Sequence, residues 1–237
     1  CEDITIKLEK NDHYSNGIST MDMIVVLKHI LGIEEFDSPY KIIAADVNNS
    51  GSVSTADLIS LRKIILGSAT TFPNNSSWRF VDASYTFEDD NPLDEDYPES
   101  ITINLAKDTD LNFVAIKVGD VNGTADHSSP ISTLTSSESR NNQSLVFQTE
   151  DRNLVAGETY TIPFTAQSDN AIVGYQFTMN YSSDVLDFET INTSNTLTEA
   201  NIAMQDGTIR ASWNEVSAVD ANALNFGFTF TAKADGR

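Results

Sequence analysis

One segment repeats itself within the first third of the chain. Ile18-Ser-Thr-Met-Asp22-Met-Ile-Val-Val-Leu-Lys28-His-Ile-Leu-Gly32 returns as Val53-Ser-Thr-Ala-Asp57-Leu-Ile-Ser-Leu-Arg-Lys63-Ile-Ile-Leu-Gly67, with Ser, Thr, Asp, Ile, Lys, Ile, Leu and Gly in step. Chance rarely produces such a match, so the fold must hold two copies of one unit. Each copy reads as a helix: Ser or Thr caps its start, Asp sits in the first turn, and Gly closes it. Met23, Leu27 and Ile30 in one copy, and Leu58, Leu61 and Ile65 in the other, fall at helical spacing. Two short helices, each burying one stripe, are expected to pack on each other.

The loop before the second helix carries the sharpest chemistry. In Asp46-Val-Asn48-Asn-Ser50-Gly51-Ser52-Val-Ser54-Thr-Ala-Asp57, oxygen-bearing side chains stand at positions 1, 3, 5 and 12, with glycine at 6. Calcium takes about six to eight hard oxygen ligands, and this spacing wraps one segment around one ion. The expected ligands are the side chains of Asp46, Asn48, Ser50 and Asp57 and the carbonyl of Ser52, with a water held by Ser54 completing the shell. Only two carry formal charge, so the expected affinity is weak, in the range that extracellular calcium satisfies.

The first copy is degraded. Aligning Asp22 with Asp57 puts Asn11, His13 and Ser15 at positions 1, 3 and 5, and Gly17 at position 7. His13 is a poor calcium ligand, and position 1 lacks its acid. Farther along, Asp120-Val-Asn122-Gly opens like the intact loop but has no helix after it. Two readings stand: a turn that ends a strand, or a returning segment that brings Asp120 and Asn122 to a second ion held by Asp22.

Net charge is -21 with a pI near 4.2, which excludes nucleic acid as a partner, since phosphate binding needs Lys and Arg. No apolar run reaches the ~18 residues of a membrane span. Cys1 is the single cysteine, so no disulfide forms within the chain. A chain beginning at Cys reads either as a processed, lipid-anchored N-terminus or as a cut in a longer chain.

Residues 4–8 alternate and read as a strand, taking 1–10 as an N-terminal strand region. Strands are also expected at 78–82 and 113–118, around an acidic loop at 88–99, which extends the helical module over 11–123. The Ser/Thr/Asn-rich stretch 124–144 reads as a linker open to glycosylation. Segments 160–165, 174–179, 208–213 and 226–230 read as strands of an all-β sandwich over 145–237. Trp213, Tyr175 and Tyr181 are its candidate carbohydrate-stacking residues and read first as core.

The duplicated unit over about 11–67, with Asp-X-Asn-X-Ser-Gly and Ser-Thr-X-Asp-Leu-Ile, resembles type I dockerin repeats, calcium modules that plug into cohesins. It departs at Ser50, where dockerins usually carry Asp, and in the degraded first loop. Thr20-Met21 and Thr55-Ala56 at the recognition positions differ, against a symmetric docking surface. Residues 145–237 are similar to cohesin domains, through Val155-Ala-Gly-Glu-Thr-Tyr-Thr-Ile-Pro-Phe and Ile172-Val-Gly-Tyr-Gln-Phe-Thr-Met-Asn-Tyr.

The resemblance implies a multidomain α+β chain. Its parts would be a dockerin-like calcium-binding helix pair with a β extension and an all-β, cohesin-like sandwich of jelly-roll or immunoglobulin type. Such pairs occur in secreted surface proteins of Bacteroidetes-type bacteria.

The expected function follows: a non-enzymatic, extracellular structural or adhesive protein with calcium as its cofactor. Its partners would be further copies of itself or cohesin- and dockerin-type modules, joined head to tail into a filament. A sandwich lacking its last strand would accept one, and the strand at 4–8 is a donor. The alternative is an anchoring or scaffold segment of a polysaccharide-degrading assembly. His13, His29 and His127 fit no zinc pattern, and no nucleophile elbow, phosphate loop or dinucleotide fingerprint occurs.

Overall fold

The computed structural model describes residues 3–89, 91–104, 110–126, 145–193 and 197–236. Its described residues are mostly β-sheet with three helices, an α+β composition. The chain divides into two compact units, Cys1–Ile65 with Ala69–Glu138, and Leu66–Ser68 with Ser139–Arg237. Among the described residues, no helix is long and apolar enough to cross a membrane. Cys1, with the lipid expected there, and the linker residues 127–144, with their glycosylation sites, lie outside the described residues.

The first unit opens with β1 (Asp3–Lys7), followed by α1 (Thr20–Ile30), α2 (Pro39–Ala45) and α3 (Thr55–Ile65). It continues with β2 (Trp78–Asp82), β3 (Ser100–Asn104) and β4 (Phe113–Lys117). Ser19 caps α1: its side chain accepts the Met21 N–H, while Asp22 reaches back to the Ser19 backbone in a capping box. The two repeat helices α1 and α3 do pack on each other.

The buried faces are rotated from the expected stripes. Met23, Ile24 and Val26 are buried in α1, and Leu61 and Ile64 in α3, while Leu27, Ile30, Leu58 and Ile65 are half-buried. The rotation follows from α2, a helix not anticipated in the sequence. At seven residues it is too short for a periodic signal, but Ser38 caps it and Pro39 begins it. Its Ile43 and Ala45 join Met23, Val26, Leu61, Val81, Ile116 and Val118 in one core, so the helices face more than each other.

β2 pairs antiparallel with β4, Trp78 opposite Lys117 and Asp82 opposite Phe113. β1 pairs antiparallel with β3, Ile4 opposite Ile103. The strand read as a donor to another chain thus has one of its edges occupied within its own unit. Residues 124–126, read as the start of the linker, belong to this fold: Ala125 is buried and the Thr124 hydroxyl donates to the Gly17 carbonyl.

The second unit contains β5 (Val146–Gln148), β6 (Thr159–Gln167), β7 (Ile172–Asn180), β8 (Leu186–Thr193), β9 (Ile202–Gln205), β10 (Thr208–Val219) and β11 (Phe226–Ala232). They form two sheets, β7-β10-β9 and β5-β6-β11-β8, around one core. Along β11, Phe226, Phe228 and Phe230 alternate into that core, where they meet Phe177 and Tyr181 of the opposite sheet. On the other face Thr229 pairs with Thr161 and receives the Asn192 amide. Trp213 and Tyr175 are core residues, stacked with ring centroids 5.4 Å apart. Tyr181 packs against the same core, so all three candidate stacking residues serve the interior.

Candidate metal centre

α2 ends at Ala45 and hands the chain directly to Asp46, which is buried. Its Oδ1 accepts the Ser50 N–H and its Oδ2 the Gly51 N–H, both at 2.9 Å. These bonds curl the loop back over its first residue. Asp57, at the first turn of α3, is fully buried. Its Oδ2 accepts from Ser54 N (2.9 Å) and Ser54 Oγ (3.2 Å), and its Oδ1 accepts from Asn48 N (3.2 Å). The Ser50 hydroxyl lies 3.2 Å from the Ser52 carbonyl oxygen. All five expected ligands, Asp46, Asn48, Ser50, Ser52 and Asp57, therefore belong to one hydrogen-bonded loop.

Two acids so placed are unfavourable alone. Burial, the largest cause, raises the Asp57 pKa, and the charge of Asp46 adds to it against hydrogen bonds from Ser54 and Asn48. Asn48 Oδ1 is buried and accepts no hydrogen bond from any described residue. A buried carbonyl oxygen without a donor is costly, and a cation would satisfy it while compensating both carboxylates.

The tentative second group has the same design. Asp22 is fully buried, and its Oδ2 accepts from Ser19 N (2.9 Å) and Ser19 Oγ (3.0 Å). Its Oδ1 accepts from Val121 N (3.0 Å) and Asn122 N (3.3 Å), so the segment after β4 occupies the place that 47–48 hold beside Asp57. Asp120 Oδ1 accepts from Thr124 N (3.0 Å) and Oδ2 from Ala125 N (2.7 Å), matching the fourth- and fifth-residue amides on Asp46. Asn49 and Gly123, one position after each Asn, both have positive φ, 54° and 75°. The Gly17 carbonyl accepts the Thr124 hydroxyl at 2.9 Å, as Ser52 does from Ser50.

Asp22, Asp120 and Asn122 are thus brought together. Asn11 is not part of the group: its Oδ1 accepts from Tyr14 Oη and Ser77 N instead. Burial and the Asp120 charge push the Asp22 carboxyl from its ordinary 3.8 up to about 7, against hydrogen bonds from Ser19 and Val121.

Two participants escaped the sequence reading. Thr124 completes the second group with the carbonyl of Gly17, which the alignment puts at position 7, and Asp120-Val-Asn122-Gly-Thr124 does repeat the oxygen pattern of Asp46-Val-Asn48-Asn-Ser50. Lys117 is the other: it is buried, and its Nζ donates to Tyr14 O (3.0 Å) and Val118 O (3.2 Å). Burial lowers its pKa to about 8, with Asp120, Asp12 and Asp22 opposing the shift. Nothing in the sequence pattern separates this lysine from a solvated one.

Among the described residues, no three His, Cys, Asp or Glu side chains gather as a metal cluster. Each group instead offers two carboxylates with amide, hydroxyl and carbonyl oxygens. That donor set is wrong for zinc, which takes nitrogen and sulfur, and suits a hard cation with many oxygen ligands. No protein-family model, curated protein or solved structure matches this chain.

Proposed function

We propose that this chain is a non-enzymatic, secreted calcium-binding protein of structural or adhesive type, displayed on a cell surface. Its first unit acts as a dockerin-like module holding two calcium ions. One lies in the continuous loop of Asp46, Asn48, Ser50, Ser52 and Asp57. The other lies in a split loop of Asp120, Asn122, Thr124, Gly17 O and Asp22. The observation that carries the reading is the orphaned Asn48 Oδ1, buried in the same loop as the carboxylates of Asp46 and Asp57. The weak affinity of a two-carboxylate loop suits the calcium-rich exterior of a cell. The second unit acts as a cohesin-like sandwich, and docking of one copy's first unit on another copy's second unit makes head-to-tail contacts.

The test combines elemental analysis, thermal unfolding and light scattering of the whole chain in calcium and in EGTA. Two ions per chain are expected, with assembly in calcium alone. At about a hundred times the dissociation constant each ion adds about 2.7 kcal/mol, so emptying both lowers the first unit's melting by roughly 15 °C. An unchanged melting curve would remove the calcium reading. A monomer at high protein concentration in calcium would remove the assembly.

A further inference from the structure

A cleft of about 520 Å³ lies in the first unit and borders the 46–57 loop at Asn49, lined by residues 7–11, 74–76 and 78–80 together with Asn49 and Glu99. Its charge runs against the rest of the molecule. The chain carries 14 Lys and Arg against 35 Asp and Glu, yet Lys7, Lys10 and Arg79 meet only Glu9 and Glu99 on this wall. Both of those acids are already engaged, Glu9 with Lys7 at 3.3 Å and Glu99 with Arg79 at 2.7 Å. Lys10 forms no ion pair among the described residues and stands 5.1 Å from the centre of the Trp78 ring.

Arg79 is fixed before any ligand arrives. Its Nε donates to Glu99, its Nη1 donates to Asn49 Oδ1 at 3.3 Å, and its guanidinium lies 5.1 Å from the Tyr97 ring centre. Among the described residues two of its five donors are used in this way, leaving three N–H groups on a planar cation whose position is set. Such a fork matches a carboxylate in two-point contact. Asn49 and Asn74 bring side-chain amides to the same cleft, which offer donors and acceptors to hydroxyl groups. Leu8 and Phe80 add an apolar portion. The volume falls within the about 300–1,000 Å³ of small-molecule sites and is too small for a folded partner.

We propose that this cleft binds a sugar acid, with the carboxylate on Arg79 and Lys10 and the hydroxyls on the amides of Asn49 and Asn74. Asn49 belongs to the 46–57 loop, so the cleft adjoins the first calcium site, but it shares none of the proposed calcium ligands and either reading can fail alone. It gives the module a contact for acidic polysaccharide in addition to any protein partner.

The experiment is a calorimetric titration of the full chain with trigalacturonate, with the neutral trigalactose, and with a sulfated trisaccharide, each in calcium and in EGTA. Saturable one-site binding of trigalacturonate, at least tenfold tighter than trigalactose in both buffers, is expected. Sulfated sugar binding more weakly than the carboxylated one supports the fork geometry, and equal or tighter binding overturns the carboxylate assignment. Lys10→Gln, on a partly exposed side chain away from the core, should weaken binding about tenfold without altering the melting curve. Arg79→Lys should weaken it further, since an ammonium cannot make the two-point contact. The proposal is overturned by no saturation at about 10 mM, by equal affinity for the neutral sugar, or by binding that survives both substitutions.

Discussion

The two carboxylate groups share one geometry and differ in how the chain reaches it. Around Asp57, every partner comes from the continuous stretch 46–57. Around Asp22, Ser19 supplies one amide locally, and the other two come from Val121 and Asn122, about a hundred residues away. The split group is tied down by the path of the strand before it: Gly119 N–H donates to the Ala44 carbonyl at 2.8 Å, which sets Asp120 beside the start of α1. Asn122 and Thr124 are exposed and Asp120 is half-buried, whereas Asp46 is buried and Asn48 half-buried. Asp22 accepts four hydrogen bonds and Asp57 three, so the split group is the more fully hydrogen-bonded of the two. Lys117 contributes a buried positive charge near the split group alone. On the proposed reading a continuous loop would hold its ion as a local event, while in the split loop an ion would act as a clasp between distant parts of the chain.

The largest expected effect comes from removing the first acid of each loop. Asp46→Ala leaves the Ser50 and Gly51 amides without their acceptor, and Asp120→Ala does the same to Gly123, Thr124 and Ala125. Each lost bond costs about 1 kcal/mol and each lost ion about 2.7, so both variants lose about 4–6 kcal/mol in calcium. Native mass spectrometry should count one ion in either variant and none in the double. Two ions retained by Asp120→Ala would reduce the split group to a turn.

Much of this contrast is legible in the sequence. The repeat gave both helices and both second-half acids, because Ser-Thr-X-Asp is a local capping device and local devices are written contiguously. The loop at 46–57 was legible for the same reason. The exchange that puts 120–124 where 11–15 should lie was legible only as one of two readings. That depends on β4 pairing with β2 and running back to α2, a long-range register that no local pattern encodes. Helix α2 was missed because seven residues span only two turns. In the second unit β6, β7, β10 and β11 were visible, β5 and β9 are too short to show alternation, and the eight-residue β8 was not singled out despite its length.

Glycine substitutions sharpen the comparison next. Gly17 and Gly51 both have positive φ, 73° and 81°. A Cβ on Gly51 meets nothing within 4 Å, so Gly51→Ala should cost only the conformational penalty of about 1–2 kcal/mol. A Cβ on Gly17 would lie 2.6 Å from the Ala125 backbone. Gly17→Ala must therefore push the returning segment away as well, costing about 3 kcal/mol or more. Its second ion should be lost while the first remains, and calorimetric titration of the two sites reads this directly.

Protons compete with cations more strongly at the split group. The Asp22 pKa is raised from 3.8 to about 7 in the fold. Its stabilising contribution to the cation-free unit is full below pH 3.8 and is lost as pH rises through about 7. Cation binding has the opposite dependence, because it needs the ionised carboxylate. Below about pH 7 the split site should weaken by up to tenfold, about 1.4 kcal/mol, per pH unit. The continuous loop, where Asp57 is pushed in the same direction by burial, should keep its ion to lower pH. Titrations between about pH 8 and 5 that weaken both sites in parallel would erase this distinction.

The smallest effect isolates the clasp itself. Ser50 and Thr124 occupy equivalent positions, and both are exposed. The Ser50 hydroxyl reaches only its own loop, 3.2 Å from Ser52 O and 3.5 Å from Asp46 Oδ1. Thr124 Oγ1 instead joins two distant segments through Gly17 O. In calcium, Ser50→Ala and Thr124→Ala each delete one neutral ligand and should weaken one site by a similar factor. In EGTA the two should part. Ser50→Ala removes a contact within a loop that its backbone amides already close, so the unfolding midpoint in urea should hardly move. Thr124→Ala removes a bond across the chain closure and should lower stability by about 0.5–1 kcal/mol. If the two variants unfold alike without calcium, the returning segment is held by its backbone alone, and the ion rather than the hydroxyl is what joins it to α1.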